Sequence, residues 1–293
     1  MGIKRWLLKN TESLVGKRVA ITGSTGGLGR QLCLHLGALG AELILLNRSE
    51  KRTGEQIAEL LRELPELRVS FIPLDLEDAV SVKAATERLK ECVPDFLIHN
   101  AGAYSIPRRV CSTGYDNVFQ INFVSPYYMT RELLPFISER GGGVVVVGSI
   151  AHNYSRIDES DLDFSTRGRA SLVYGNAKRH LMYSVAALSE EYRGAVSVTH
   201  PGITFTNITA HYPKVIFALI KYPMKVIFTR PRKASLSILK GVFEPTVGAF
   251  WIGPRGFNIW GYPNKKALKS ASDAERAVIV KRAEEVYEKM KSI

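Results

Sequence analysis

Tyr174 and Lys178 stand four residues apart in a helical pattern, so their side chains share one face. A free phenol, with a pKa of about 10, is too weak an acid to give up its proton readily at neutral pH. An ammonium beside it favours the ionised form and moves it toward a useful range. The pair therefore suits a proton relay to or from an oxygen atom. Ser149, at the C-terminal end of an apolar β-branched run, adds a hydroxyl that can hydrogen-bond a carbonyl oxygen and steady charge growing there. An isolated Tyr-x-x-x-Lys is most often a core aromatic and a solvated lysine, so the surrounding elements decide what this one means.

A second cluster lies near the start of the chain. Thr22, Gly23, Ser24, Thr25, Gly26, Gly27, Leu28 and Gly29 form T-G-x-x-x-G-x-G where a β-branched run gives way to a helical pattern. Such glycines let the backbone approach a pyrophosphate, and a helix N-terminus offers free N–H groups and partial positive charge. Roughly 20 residues beyond the last glycine, where a dinucleotide-binding fold carries an acidic residue for the ribose hydroxyls, stand Asn47 and Arg48. The permanently charged fork of Arg48 suits a 2′-phosphate, and no carboxylate is expected beside it to repel one. The cofactor expected is NADP, with NADPH preferred over NADH. Arg30, just inside the helix, is a poorer second cation for the same phosphate.

These groups need a scaffold that brings them together. From Lys17 onward, short apolar runs alternate with longer helical patterns, the rhythm of parallel strands joined by crossover helices. The runs predict strands at Arg18–Thr22, Ala41–Leu46, Arg68–Pro73, Asp95–His99, Val144–Gly148, Ala195–Thr199 and Ala249–Ile252. Leu28, Leu32, Leu36 and Leu39 mark the first helix, which Gly40 ends. Ser272 to Glu275 reads as a capping box opening a C-terminal helix. The fold expected is α/β, a single-domain Rossmann-type doubly wound parallel sheet. Residues 1–15 form an N-terminal extension, 16–271 the cofactor-binding domain and 272–293 a C-terminal helix packed on it. A substrate lid is expected over about 204–231, after the sixth strand.

The ordered set of motifs resembles the short-chain dehydrogenase/reductase family. It comprises the glycine turn, Asp75 after the third strand, His99-Asn100-Ala101-Gly102 after the fourth, Asn122, Ser149, Tyr174-x-x-x-Lys178 and Pro201-Gly202, over about residues 16–210. The family's usual Asn-Asn-Ala-Gly carries His99 in first place here. The resemblance implies hydride transfer between a nicotinamide and a carbonyl or alcohol carbon. Tyr174 would be the general acid/base and Ser149 its partner on the substrate oxygen. Asn122 would help hold a water on the proton path, and Lys178 would also touch the nicotinamide ribose. It further implies that Asp75 holds the adenine, that Asn100 to Gly102 border the adenosine and that Thr206 meets the nicotinamide amide. Homodimers and homotetramers are common in the family.

Ser149 and Tyr174 lie 25 positions apart, and the gap holds the acidic stretch Asp158, Glu159, Ser160, Asp161, Leu162, Asp163. This spacing, with Ser149-Ile150-Ala151-His152, is similar to the retinol dehydrogenase and WW-domain oxidoreductase branch. That branch often has Ser before the lysine, where this chain has Ala177. The lid carries Val215 to Ile220 and Val226-Ile227-Phe228, split by Lys221, Tyr222, Pro223 and Lys225. An apolar, aromatic lid favours a bulky lipophilic alcohol or ketone, steroid- or retinoid-like, and the competing reading is that these residues complete the core.

Composition narrows the remaining classes. The chain of 293 residues, 45% hydrophobic, can bury a full core. A formal charge of +12 and a pI near 9.6 favour anionic partners. The basic residues are spread along the chain without zinc-finger, basic-zipper or RNA-binding aromatic patterns, so no nucleic-acid partner is expected. Cys33, Cys92 and Cys111 lack disulfide or zinc spacing, so no metal is expected and a reducing cytoplasm fits best. The apolar run Trp6-Leu7-Leu8 is too short for a signal peptide, and no stretch of about 18 apolar residues exists. Peripheral contact of Lys4, Arg5, Trp6 and the lid with anionic lipid stays open. Two rivals share the fold: a catalytically idle NADP-binding sensor, and a basic membrane or nucleic-acid adaptor.

Overall fold

The computed structural model describes residues 2–203 and 229–293. The strands are β1 (Arg18–Thr22), β2 (Glu42–Asn47), β3 (Val69–Pro73), β4 (Phe96–His99), β5 (Gly143–Val147), β6 (Val196–Thr199), β7 (Phe250–Gly256) and β8 (Trp260–Ala267). They form one sheet in the order β3-β2-β1-β4-β5-β6-β7-β8, parallel except for the antiparallel β7–β8 pair. The first six strands begin and end within a residue of the bounds that hydrophobic runs predict.

The described helices are α1 (Ile3–Asn10), α2 (Gly27–Ala38), α3 (Glu50–Glu63), α4 (Ala79–Cys92), α5 (Asn117–Phe119), α6 (Ser125–Glu139), α7 (Ala170–Glu191), α8 (Pro231–Phe243) and α9 (Asp273–Ser292). Each strand sends alternate side chains to opposite faces, and both faces are covered. Val19, Ile21, Leu43, Leu45, Val145 and Val147 meet Leu32, Leu36, Leu60, Leu236 and Leu239 on the α2, α3 and α8 side. Ala20, Ile44, Leu46, Val144, Val146 and Val198 meet Val82, Leu89, Phe123, Leu133 and Leu181 on the α4, α6 and α7 side. Helix α9 joins this second layer through Ile279, Ala283, Val286 and Met290, all fully buried.

Three expectations need correction. Residues 1–15 are more than an extension: α1 packs on the core, Trp6 is buried, and its ring stacks on Tyr262 at 6.4 Å, so Trp6 is not free to enter a lipid surface. The last strand is β8, which was not foreseen because its half-exposed sequence WGYPNKKA carries no apolar alternation. The capping box is half formed: Ser272 Oγ accepts from Glu275 N–H at 3.2 Å, but the Glu275 carboxylate is bound elsewhere.

The sheet order reverses direction between β1 and β4, so the crevice at their C-terminal ends is where such folds bind ligands. Ile203 and Thr229 pair there through a backbone hydrogen bond of 3.0 Å. The apolar part of the expected lid, 204–228, and Thr206 with it, lie outside the described residues. Among the described residues no helix is long and apolar enough to cross a membrane.

Candidate active site

The glycine turn joins β1 to α2 on the rim of that crevice. Gly23 has φ +66°, and a Cβ there would lie 2.8 Å from the Cα of Ala101. A Cβ on Gly29 would stand 2.5 Å from the Gly23 carbonyl, so the first turn of α2 can hug the loop only without a side chain. Thr25, Gly26 and Gly27 are exposed, and no side chain caps α2 at its start. Uncapped N–H groups beside side-chain-free backbone fit a pyrophosphate.

A buried network holds the loop from behind. Asn47 Oδ1 accepts from Ser24 N–H at 3.0 Å, while Asn47 Nδ2 donates to Ser24 Oγ and Thr53 Oγ1. Gln56 donates to the Ser24 carbonyl at 2.8 Å and accepts from Ser24 Oγ. Asn47 therefore braces the loop, and its amide is already committed to it rather than offered to a ribose. Gln56 and Thr53, on α3, carry no signal in the sequence that marks them out. From the other side Asn100 Nδ2 donates to the carbonyls of Thr22 and Gly23 at 3.1 and 3.0 Å, and Ala101 N–H donates to Thr22 Oγ1 at 3.0 Å. Asn100 Oδ1 is buried without a protein partner, which leaves an acceptor for a ligand group at the crevice.

Arg48 emerges at the end of β2 with a largely exposed side chain, free to reach a phosphate. The expectation that no carboxylate stands near it is corrected: its guanidinium lies 3.9 Å from Asp75. Folding returns β3 beside β2, which sequence distance hides. Arg30 is engaged with Glu59 and Glu63 on α3, at 2.9 and 2.7 Å.

At the other half of the crevice, α7 carries Tyr174 and Lys178. The Ser149 hydroxyl stands close enough to the Tyr174 phenol to favour its ionised form, and Ser149 caps a single 3-10 turn, Ile150–Asn153, by accepting from Ala151 N–H at 3.2 Å. A Cβ on Gly175 would lie 2.4 Å from the Ala151 carbonyl, so the absence of a side chain lets α7 press against that turn. Lys178 is buried beneath, its Nζ donating to the Val147 carbonyl at 2.8 Å and lying 5.8 Å from the Tyr174 ring centre. Tyr104 meets the Tyr174 ring edge-on at 5.4 Å.

The electrostatics differ from the simple pairing expected. Burial pushes the Tyr174 phenol up to about 12, the neighbouring Ser149 hydroxyl acting against it and Tyr104 with it. Burial alone pulls the Lys178 ammonium down to about 7. Desolvation thus outweighs the attraction between them in the protein by itself, because Lys178 points at a backbone carbonyl rather than at the phenol oxygen.

Asn122 sits where α5 runs into α6. The chain widens there into a single π-turn, Gln120–Val124, with Ser125 N–H reaching the Gln120 carbonyl. Asn122 Nδ2 donates to the carbonyls of Val118 and Ala103, both at 2.8 Å, and Oδ1 accepts from Ala103 N–H at 3.3 Å. A Cβ on Gly102 would stand 2.8 Å from Asn122 Oδ1 and 3.6 Å from Lys178 Nζ. The missing side chain at Gly102 is what lets the Asn-Ala-Gly strand end, Asn122 and Lys178 converge. His99, in the place of the family's first asparagine, is buried; its Nε2 lies 3.1 Å from Thr130 Oγ1, which itself donates to Pro126 O, so Nε2 is the donor. Burial and the nearby Lys178 pull His99 down to about 3, so it stays neutral.

Gly202, with φ +85°, follows Pro201 at the end of β6 and packs under the β7–β8 hairpin, where a Cβ would lie 2.5 Å from the Ile259 carbonyl. The acidic stretch between Ser149 and Tyr174 is folded in on itself rather than open. Asp163 accepts from the N–H groups of Asp116 and Ser165, at 2.7 and 3.1 Å, and Arg108 reaches Asp116 and the Phe164 carbonyl. This brace sets Phe164 against Val118 and Val173, with Ile106, Leu172 and Tyr174 packed alongside.

The chain is similar to known proteins over most of its length. The short chain dehydrogenase family matches residues 17–214. Human retinol dehydrogenase 14 is 30% identical over 256 residues, covering 78% of this chain and 76% of its own. Mouse polyprenol dehydrogenase is 25% identical, covering 78% and 72%. Among solved structures, an uncharacterised protein from Mycobacterium paratuberculosis superposes with a TM-score of 0.73 at 22% identity, covering 96% of each chain. The NADPH-dependent 3-quinuclidinone reductase of Rhodotorula rubra superposes at 0.61 with 21% identity, covering 80% and 89%. The Rossmann-type fold and the family match over two thirds of its length place this chain in the short-chain dehydrogenase/reductase family of oxidoreductases, in a branch like the retinol dehydrogenases.

Proposed function

We propose that the protein interconverts a lipophilic alcohol and its ketone or aldehyde, using NADP(H), with Tyr174 as general acid and base. The observation that carries this reading is the gathering of Ser149, Tyr174 and the buried Lys178, whose Nζ lies 5.8 Å from the Tyr174 ring centre, across the crevice from a side-chain-free pyrophosphate cradle. The nicotinamide, when bound, supplies or accepts the hydride. Ser149 orients the substrate oxygen and shares its growing charge, while Tyr174 gives its proton to that oxygen in reduction and takes it back in oxidation. A phenol held near 12 is fully protonated at neutral pH, ready to act as the acid. Lys178, once charged, favours the phenolate left behind, and its ammonium is near enough to do so. Asn122, by opening the helix into a π-turn, holds the neighbouring backbone in place for the proton path.

For the cofactor, Thr22 to Gly29, Asn100 to Gly102 and Gly202 would hold the dinucleotide, and Arg48 its 2′-phosphate. Asp75, close to Arg48, tempers that preference without cancelling it, because Arg48 is free to swing away from a contact of 3.9 Å. For the substrate, Tyr104, Ile106 and Leu172 beside Tyr174 offer apolar surface, and the relatives named for retinol and polyprenol favour an apolar alcohol.

The test is consumption of NADPH and NADH against steroid, retinoid and small aliphatic carbonyls. Tyr174→Phe is expected to lower kcat by at least about 10²-fold with NADPH binding retained. Arg48→Ala is expected to weaken NADPH roughly tenfold or more and leave NADH unchanged. Unchanged turnover in Tyr174→Phe would remove the central assignment, and NADPH binding without turnover in the wild type would favour the sensor.

A further inference from the structure

Arg179 follows Lys178 in the catalytic helix and is 1% exposed, one of the largest fully buried side chains among the described residues. All five of its N–H bonds are used. Nε and Nη2 grip the Glu275 carboxylate at 2.7 and 2.6 Å. Nη2 also donates to the Ser270 carbonyl at 2.6 Å, and Nη1 to Ser270 Oγ at 3.1 Å and to the His152 carbonyl at 2.9 Å.

That last bond reaches the turn that carries Ser149. His152 Nδ1–H returns to the Ser149 carbonyl at 2.6 Å, and its backbone N–H does so at 3.2 Å. The His152 ring stands edge-on to Trp251 at 5.4 Å, which fixes its orientation. The same carboxylate accepts from Ile157 N–H at 3.4 Å, just beyond the turn, and Tyr183 binds Ser270 Oγ and Ala271 N–H at 2.8 and 2.9 Å. One continuous set of directional bonds therefore runs from the first turn of α9 through α7 to the backbone of Ser149.

We propose that Arg179 and Glu275 are positioning residues: their buried ion pair holds the His152 carbonyl, and through it sets where the Ser149 hydroxyl stands relative to Tyr174. This makes the start of the C-terminal helix part of the working site, and it rests on the oxidoreductase reading above. A buried ion pair is weak evidence for stability, since apolar side chains of similar volume often serve as well. What apolar side chains cannot supply is the bond to the His152 carbonyl. The placement of a hydroxyl that must meet a reacting oxygen is sensitive to displacements of about 1 Å, which can cost on the order of 10²-fold in rate.

The experiment compares wild type, Arg179→Lys, Glu275→Gln and the double variant Arg179→Met/Glu275→Met. It reads kcat, KM, NADPH affinity, thermal melting and hydrogen exchange at the amides of residues 150–153. The double variant is expected to fold and to bind NADPH within about twofold of wild type, yet to lose roughly 10- to 100-fold in kcat and exchange faster at 150–153. Arg179→Lys, which keeps the charge but not the fork, should fall between. A folded double variant with kcat within about twofold of wild type overturns the proposal. Should the double variant not fold, His152→Phe carries the test: it keeps a ring against Trp251 but deletes the bond to the Ser149 carbonyl, and an unchanged kcat would count against us equally. If the wild type turns over no carbonyl, the oxidoreductase reading fails by itself. Exchange at 150–153 still decides the positioning claim, unchanged exchange in the double variant refuting it.

Discussion

At the scale of single residues, the site is defined by what burial does to two titratable groups. Lys178 is held near 7 and Tyr174 near 12, both by desolvation first. The sign for Lys178 follows from linkage. Its unfolded-state value is near 10.5, so between about pH 10 and pH 7 the unfolded chain binds a proton that the folded protein does not. Stability should therefore fall as pH drops through that window and level off below about 7. Lys178→Met removes the term, so the variant should gain on the wild type by a few kcal/mol from pH 10 to pH 7. Urea unfolding of the protein without cofactor at a series of pH values checks this, and parallel curves for the two proteins would show that Lys178 is not desolvated as described.

At the scale of elements, geometry is created by departures from regular structure. The π-turn at Gln120–Val124 exists because the Asn122 side chain takes the Val118 carbonyl and the Ala103 backbone for itself. Asn122→Ala would leave those buried groups unsatisfied, at a cost of about 1–3 kcal/mol. The helix should then close toward regular α geometry and lose the approach between Gly102, Asn122 and Lys178. The expected result is a fall in kcat of at least about tenfold together with that loss in stability, measured by steady-state kinetics and urea melts. A variant that loses stability and keeps kcat would make Asn122 structural only. The same logic explains Gly23 and Gly175, each at a point where two elements meet more closely than a side chain allows.

At the scale of the whole molecule, the ends of the chain are tied to the sheet. Trp6 anchors α1 beside β8, and α9 buries Ile279, Ala283, Val286 and Met290 against the α7 layer. Trp6→Ala should cost about 3 kcal/mol by the usual penalty for emptying a large aromatic site, seen as a lower urea midpoint with Tyr174-dependent turnover unchanged at low temperature. A midpoint equal to wild type would mean that α1 contributes little. Strand β8 covers the outer edge of β7, and its Pro263, Lys265 and Lys266 are the residue types that discourage further strand pairing.

The β-branched runs and leucine spacing determined six strands, their parallel sense and the position of the glycine turn, because hydrophobic period and glycine placement are local properties, whereas the order of the strands in the sheet came from the tertiary structure. The types and order of Ser149, Tyr174 and Lys178 were legible for the same reason: a motif is written along the chain. What only the tertiary structure decided depends on neighbours distant in sequence. Asp75 reaches Arg48 because β3 returns beside β2. Asn47 is turned inward by Ser24 and Thr53. Burial, which no single sequence displays, sets Lys178 down and Tyr174 up. The half-exposed strand β8 and the Arg179–Glu275 pair, 96 residues apart, are fixed by packing alone.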